Sequence, residues 1–375
     1  MPISAVKGVK KNGLQKYRVR VHKGNTQIER TAYGMDNAKV IEAQLLSAPK
    51  NASRKTLKQL FNEYMSSKKS EVKENTYYKN IERAANFLNF LGNRYIDKLS
   101  AADIQKWKND LNERVSEKTH KSFSLRTKRE VRCLLRDVLN YAVRLEYINR
   151  NPVDSVPNFK ESTHAKKETS FYTVEEFNAF IETARLNANK VLLRDHSINE
   201  YNYYTFFMIA FWMGARKGEI NALTWKDIDG DVMHITKSIN QKLKSDNKIT
   251  PPKNSASIRD VQMPQRLIAA LGEQKERQMK IPGFSEDWFV TGGKTYLRDT
   301  SIDLKNRAYS EEASLHKIRI HDFRHSNIAL LIHLGVEVKE VSERVGHSKT
   351  ETTWNVYTHI YPQAKNKAIQ VLESA

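Results

Sequence analysis

The stretch from Ile320 to Tyr361, IHDFRHSNIALLIHLGVEVKEVSERVGHSKTETTWNVYTHIY, places His321, Arg324, His347 and Tyr357 within 37 positions. An arginine offers a phosphate a planar fork of donors, and a histidine gives or takes a proton near neutral pH. A phenol is a nucleophile once its proton has an acceptor. As a set they can neutralise a phosphate and attack it. Singly each is ordinary: an H-x-x-R pair on a helix is most often a surface pair, and a lone tyrosine near a helix end is a packing residue.

These residues need elements to hold them. Ile320, Phe323, Leu331 and Leu334 recur near the helical period and Gly335 suits the helix end, so His321, Arg324 and Ile328 share a second stripe. Ser348-x-x-Glu351 reads as a capping box opening a further helix, with Tyr357 two turns in. Upstream, Thr173 caps a helix, and an aromatic helix follows over 201–213. Gly214 then permits a tight turn that leaves Arg216 at the start of a new helix, its fork free for a phosphate. VMHITKS, KSDNKITPPKN and SIRDVQMP read as strands, with Lys253 on the proline-stiffened turn. By itself Lys253 is best read as a hairpin charge, with Lys242, Lys244 and Lys248 as rivals.

The 375 residues exceed what one core usually organises. At 39% hydrophobic and 28% charged the composition is that of a soluble globular protein, with no apolar run long enough to span a membrane and no secretory h-region at the N-terminus. A single cysteine, Cys133, fits a reducing cytosol, and its apolar surroundings (VRCLLRDVLNYAV) predict a buried packing role. The net charge of +20 is segregated: residues 1–167 carry 35 Lys and Arg against 17 Asp and Glu, the remainder 28 against 26. Solubility needs no segregation, so the pattern points to a polyanion grip joined to a more selective domain.

In the basic half, KYRVRVH and TQIERTAYG read as strands around a turn, followed by a helix from Asp36 to Leu46. Lys16, Arg18, Arg20 and Lys23 along this sheet suit either a DNA groove or a solvated face. Residues 55–150 are periodic helices, Ser100 and Ser124 being N-caps. Arg126, Lys128, Arg129, Arg132 and Arg136 crowd one of them, and some should meet phosphates unless the helix is simply solvated.

Taken in order, Arg216 in GARKGEI, Lys253 in PPKNSASIRDV, His321 and Arg324 in HDFRH, His347 in VGHS and Tyr357 in TTWNVYTHI resemble the tyrosine recombinase family, in particular its phage and conjugative-transposon integrases. The likeness covers about 171–362, while 55–150 resembles the family's core-binding domain and 1–48 its arm-binding domain. The implied fold is multidomain and mainly α with small β-sheets (α+β). Residues 1–48 form a three-stranded sheet plus helix, 55–153 a helical SAM-like core-binding domain, 154–170 a linker and 171–375 the catalytic domain, the two large domains closing around duplex DNA.

The resemblance further implies that Tyr357 attacks a scissile DNA phosphate to give a 3′-phosphotyrosyl link. Arg216, Arg324 and His347 would hold the phosphate, Lys253 protonate the leaving 5′-oxygen, and His321 act as acid/base on the tyrosine side. Glu219 and Asp322 would orient these groups, a helix-capping role being equally open to Asp322. No metal or cofactor is implied, since the arginines supply positive charge and the phosphotyrosyl bond conserves the energy of the broken one. The expected biology is integration and excision of a mobile element, such as a temperate phage, through a Holliday junction. Expected partners are double-stranded DNA at core and arm sites, a homotetramer on DNA, an excisionase and a DNA-bending host factor, in the bacterial cytosol at the nucleoid. The run Ala364 to Leu372 would dock on a neighbouring subunit. A type IB topoisomerase and a catalytically inactive DNA-binding regulator are the alternatives.

Overall fold

The computed structural model describes residues 2–23, 26–47, 55–117, 119–160, 170–243, 248–251 and 255–354, so Lys253, Tyr357 and the run from Ala364 lie outside the described residues. The chain divides into two compact units, Met1–His164 and Ala165–Ala375.

The first unit begins with an antiparallel sheet in the order β1 (Ile3–Lys11), β2 (Leu14–Lys23), β3 (Thr26–Tyr33), followed by α1 (Met35–Ser47). Strand alternation turns Tyr17, Val19 and Ala32 onto Ala38, Ile41 and Leu45 of α1. The intervening Lys16, Arg18 and Arg20 take the opposite face, where Arg18 and Arg20 each lie 2.8 Å from Glu29. Lys23 ends β2 opposite Thr26.

Beyond it come α2 (Leu57–Lys68), α3 (Glu74–Phe87), the short α4 (Asn89–Gly92), α5 (Ala101–Glu113) and α6 (Leu125–Arg144). Ser100 caps α5 in a capping box with Asp103, and Ser124 caps α6 by accepting from the Thr127 amide. On α6, Val131, Leu134, Leu135, Val138, Leu139 and Ala142 form the buried stripe. Cys133 falls outside that stripe and is exposed, contrary to the buried role expected of it: the apolar neighbours in sequence sit on another face of the helix. α6 also ends at Arg144, short of the residue 150 to which the helical pattern was expected to run, with Glu146 taking φ 57°.

The stretch expected to be linker from 154 onward differs over its first residues. Val153, Val156 and Phe159 are buried in the helical core. Arg132 donates to the Val153 and Val156 carbonyls at 3.1 and 2.8 Å, and Arg129 to the Phe159 carbonyl at 3.2 and 3.1 Å. Three apolar side chains spaced by three along a polar segment mark a strap that packs, which its overall polarity concealed.

The second unit is built on aromatic residues. α7 (Val174–Asp195) and α8 (Asn199–Trp212) bring Phe177, Phe180, Phe207 and Phe211 together, and Phe177 and Phe211 stack at 3.8 Å. After α9 (Lys217–Ala222) come β4 (Ile228–Asp229), β5 (Val232–Ile235), β6 (Ser238–Ile239), β7 (Ile249–Thr250) and β8 (Arg259–Gln262). They pair antiparallel as a sheet β4-β5-β8 and a hairpin β6-β7. The helices α10 (Gln265–Met279), α11 (Asp299–Glu312), α12 (Ile320–His333) and α13 (Val338–Val345) complete the unit, and the chain turns helical again at Thr350. α12 is seated in the aromatic core by Phe323, which touches Tyr172, Phe177, Phe180 and Phe207. That seating fixes Arg324 beside it. No described helix is long and apolar enough to cross a membrane.

Candidate active site

Arg324 is 1% exposed. Its Nη1 donates to the Gly214 carbonyl at 2.8 Å, but buried Nε and Nη2 have no partner among the described residues. Burial, then the charges of Arg216 and Arg259, pull its pKa down to about 9. At neutral pH it is therefore a buried cation whose two remaining donor nitrogens suit an anion's oxygens.

The Gly214 turn that receives Arg324 has φ +58°, and a Cβ there would lie 2.8 Å from Asn327 Oδ1, so only glycine fits. Two residues on, Arg216 is the N-cap of α9. Its guanidinium donates to Glu219 Oε1 at 2.6 Å, Ser257 Oγ at 3.2 Å and the Gly346 carbonyl at 2.9 Å, yet the side chain stays 34% exposed. Glu219 is buried: burial alone would raise its pKa, but Arg259 and Arg216 together hold it below the ordinary carboxylate value.

His347 follows Gly346, the left-handed cap that ends α13. Its Nδ1 lies 2.8 Å from the Thr353 hydroxyl, which is itself 2.7 Å from Ser342 Oγ; Thr353 is fully buried. With Nδ1 so engaged, Nε2 is the nitrogen left for chemistry. Burial, then Arg324 and Arg216, lower the His347 pKa to about 3. His321, on the first turn of α12, keeps solvent contact and meets the His325 ring edge-on at 4.8 Å. Its pKa is lowered to about 4 by the surrounding protein, then by His325 and Arg324. Both imidazoles are thus neutral at pH 7, and a bound anion would favour their protonated forms.

Four of the six residues expected to act on a phosphate, Arg216, His321, Arg324 and His347, therefore come together from α9, α12 and the turn after α13. Lys253 and Tyr357 lie outside the described residues. Among the rival lysines, Lys248 donates its ammonium to the Leu243 carbonyl, a turn-closing role. Glu219 orients two arginines. Asp322 instead accepts from the Arg319 backbone and guanidinium at 2.7 to 2.9 Å, the capping role that was open to it.

Reading the sequence missed Arg259, Ser257 and Thr353. Arg259 was legible in principle: on β8 it shares the inward face with Val261, an unusual place for a solitary charge. Among the basic residues expected to grip DNA, Arg129 and Arg132 are turned to main-chain carbonyls, and Lys128 lies 3.1 Å from Asn112 Oδ1. Arg126, its side chain 87% exposed beside Glu130, stands in solvent.

Two guanidiniums and two imidazoles thus gather on the second unit, which follows a helical domain and a small basic sheet in the chain. Residues 172–364 match the phage integrase family, and residues 56–112 match the phage integrase N-terminal SAM-like domain. The chain belongs to the phage integrase family of tyrosine recombinases. It is 33% identical over 249 residues to the ICEBs1 integrase of Bacillus subtilis (strain 168), a match covering 64% of this chain and 63% of that one. To a XerC-like tyrosine recombinase of Caldanaerobacter subterraneus it is 28% identical over 279 residues, 66% of each. The chain thus matches slightly under two thirds of the length of these relatives. Its fold is shared with the Tn1549 transposon integrase solved in complex with transposon right end DNA, at TM-score 0.63 and 19% identity over 84% of this chain and 100% of that one. It is shared too with a lambda integrase dimer bound to a COC′ core site, at TM-score 0.56 and 14% identity over 93% of each.

Proposed function

We propose that this chain is a site-specific DNA recombinase, an integrase that inserts and excises a mobile element. The observation that carries the proposal is Arg324: a buried guanidinium with two nitrogens unpartnered among the described residues, flanked by Arg216, His321 and His347. A phosphodiester brings the single negative charge and the paired oxygens that such a clamp accommodates. The integrases of similar fold that were solved bound to transposon and core-site DNA support duplex DNA as its source.

In the proposed reaction the Tyr357 oxygen attacks phosphorus, the new O–P bond forms as the P–O5′ bond breaks, and the 5′-oxygen leaves with a proton from Lys253. The phenolic proton passes to neutral His321. Charge growing on the nonbridging oxygens is met by Arg216, Arg324 and the Nε2–H of His347, the neutral tautomer in which Nδ1 accepts from the Thr353 hydroxyl. Reversal by the 5′-hydroxyl of another strand gives exchange through a Holliday junction, without metal or nucleotide. On this reading the chain works as a homotetramer at core sites, its N-terminal sheet holds arm sites, and an excisionase and a bending protein set direction, in the bacterial cytosol. The residue limits 1–48, 55–153 and 171–375 remain the proposed division of labour.

The test is a covalent trap. Wild type and Tyr357→Phe are incubated with a nicked suicide duplex carrying the element–host junction. A denaturant-resistant protein–DNA band in wild type alone is the expected result. No band from wild type that demonstrably binds the duplex would make the chain a DNA-binding regulator, and nicking with relaxation but no strand exchange would make it a topoisomerase.

A further inference from the structure

Arg259 is not one of the four clamp residues, yet its side chain is only 7% exposed and its guanidinium ties two distant segments to its own approach to β8. Nη2 donates to Glu219 Oε2 at 3.1 Å, Nη1 to the Ser257 carbonyl at 2.9 Å, and Nε to the Arg344 carbonyl at 2.8 Å. Glu219 and Ser257 are the two side chains that accept from Arg216 Nη1. Arg344 is in the last turn of α13, two residues before the glycine that carries Arg216's remaining acceptor and three before His347.

Gly346 closes the arrangement. A Cβ at this position would lie 3.0 Å from Arg259 Nη1, 2.9 Å from the Ala256 carbonyl and 3.2 Å from Ser257 Cα, with φ already at +70°. The turn bearing His347 therefore rests directly on the Arg259 guanidinium, while the same guanidinium anchors the carboxylate that aims Arg216.

We infer that Arg259 is a positioning residue which sets the separation between the Arg216 guanidinium and the His347 ring, and so the width of the phosphate clamp. Its planar fork suits this role, because donors in one plane reach three acceptors on α9, the approach to β8 and α13. A lysine has the charge but directs its donors from a single nitrogen, so it can hold only part of the set. The arginine is also held where it is at a cost, since burial lowers its pKa against the favourable pull of Glu219. A hydrophobic residue of similar length would avoid that cost, and the use of a charge is accounted for by the three contacts. The inference rests on the recombinase reading.

The experiment compares wild type, Arg259→Lys and Arg259→Gln in two measurements: affinity for the core-site duplex by fluorescence anisotropy, and the single-turnover rate of Tyr357-dependent covalent complex formation at saturating DNA. Binding reports the many phosphate contacts, whereas the rate reports placement of the clamp about one phosphorus, where a misplacement of about 1 Å is worth roughly 100-fold. Arg259→Gln is expected to bind within about threefold of wild type and to react roughly 100-fold slower, with Arg259→Lys intermediate. Arg259→Gln reacting as fast as wild type would overturn the inference alone. So would Lys and Gln variants that lose affinity and rate in parallel together with their unfolding transition, because Arg259 would then only hold the fold. A wild type that makes no Tyr357-dependent adduct would overturn the recombinase reading and this inference with it.

Discussion

Replacing Arg324 by methionine should make the DNA-free protein more stable while abolishing its chemistry. The guanidinium is 1% exposed and makes one hydrogen bond among the described residues. Its pKa of about 9 lies well below that of a free arginine, which at 1.36 kcal/mol per pH unit is a penalty of about 5 kcal/mol on the charged form. Methionine removes the charge and nearly fills the space, and gives up a charge-assisted bond worth about 1.5–3 kcal/mol. The net expectation is a gain of about 2 kcal/mol. Because the folded-state pKa of this base is depressed, the penalty is complete below about 9 and shrinks as pH rises through it. Urea unfolding followed by tryptophan fluorescence should therefore place Arg324→Met above wild type at pH 7, with the gap narrowing toward pH 10. Covalent complex formation should fall by at least ~100-fold. A variant less stable than wild type at pH 7 would show that the guanidinium is satisfied without an anion, and the clamp argument would fail.

Thr353→Val, which takes away the partner of His347 Nδ1, should slow covalent complex formation by roughly tenfold or more at unchanged DNA affinity, with Thr353→Ser near wild type in the same single-turnover assay. Because His347 and His321 are held near 3 and 4 without DNA, a phosphate should raise both values, so binding at pH 6 should take up protons and tighten as pH falls. Titration calorimetry in two buffers of different ionisation enthalpy checks this, and proton release would contradict it. Arg129→Ala and Arg132→Ala, which free buried carbonyls of the 153–159 strap, should lower the thermal midpoint of the first unit, each costing about 1–3 kcal/mol. Arg126→Ala should leave stability within about 0.5 kcal/mol and, if Arg126 meets a phosphate, reduce the salt slope of DNA binding by about 1. Gly346→Ala, with φ +70° and a carbonyl 2.9 Å from the new Cβ, should destabilise the second unit by at least ~1 kcal/mol in the same unfolding experiment.

Much of this protein was legible without coordinates where the signal is local. N-caps at Ser100, Ser124 and Thr173 and the turn at Gly214 depend on a residue's own backbone and its near neighbours, so type and spacing suffice. The segregated charge and the ordered motifs around Arg216, His321, Arg324 and His347 belong to the chain itself. Tertiary structure alone decided which cations are spent on the fold and which remain for a ligand. Arg129, Arg132, Arg259 and Arg324 are the same residue type in sequence; three are bonded to carbonyls or a carboxylate brought from elsewhere in the chain, and Arg324 is left with two nitrogens unpartnered among the described residues. Hydrogen-bond partners 21 to 110 residues distant leave no periodic trace. Where a charge is aimed depends on packing across the whole domain, and it is that packing, about Phe323 and the turn at Gly346, that turns a set of polar residues into a site.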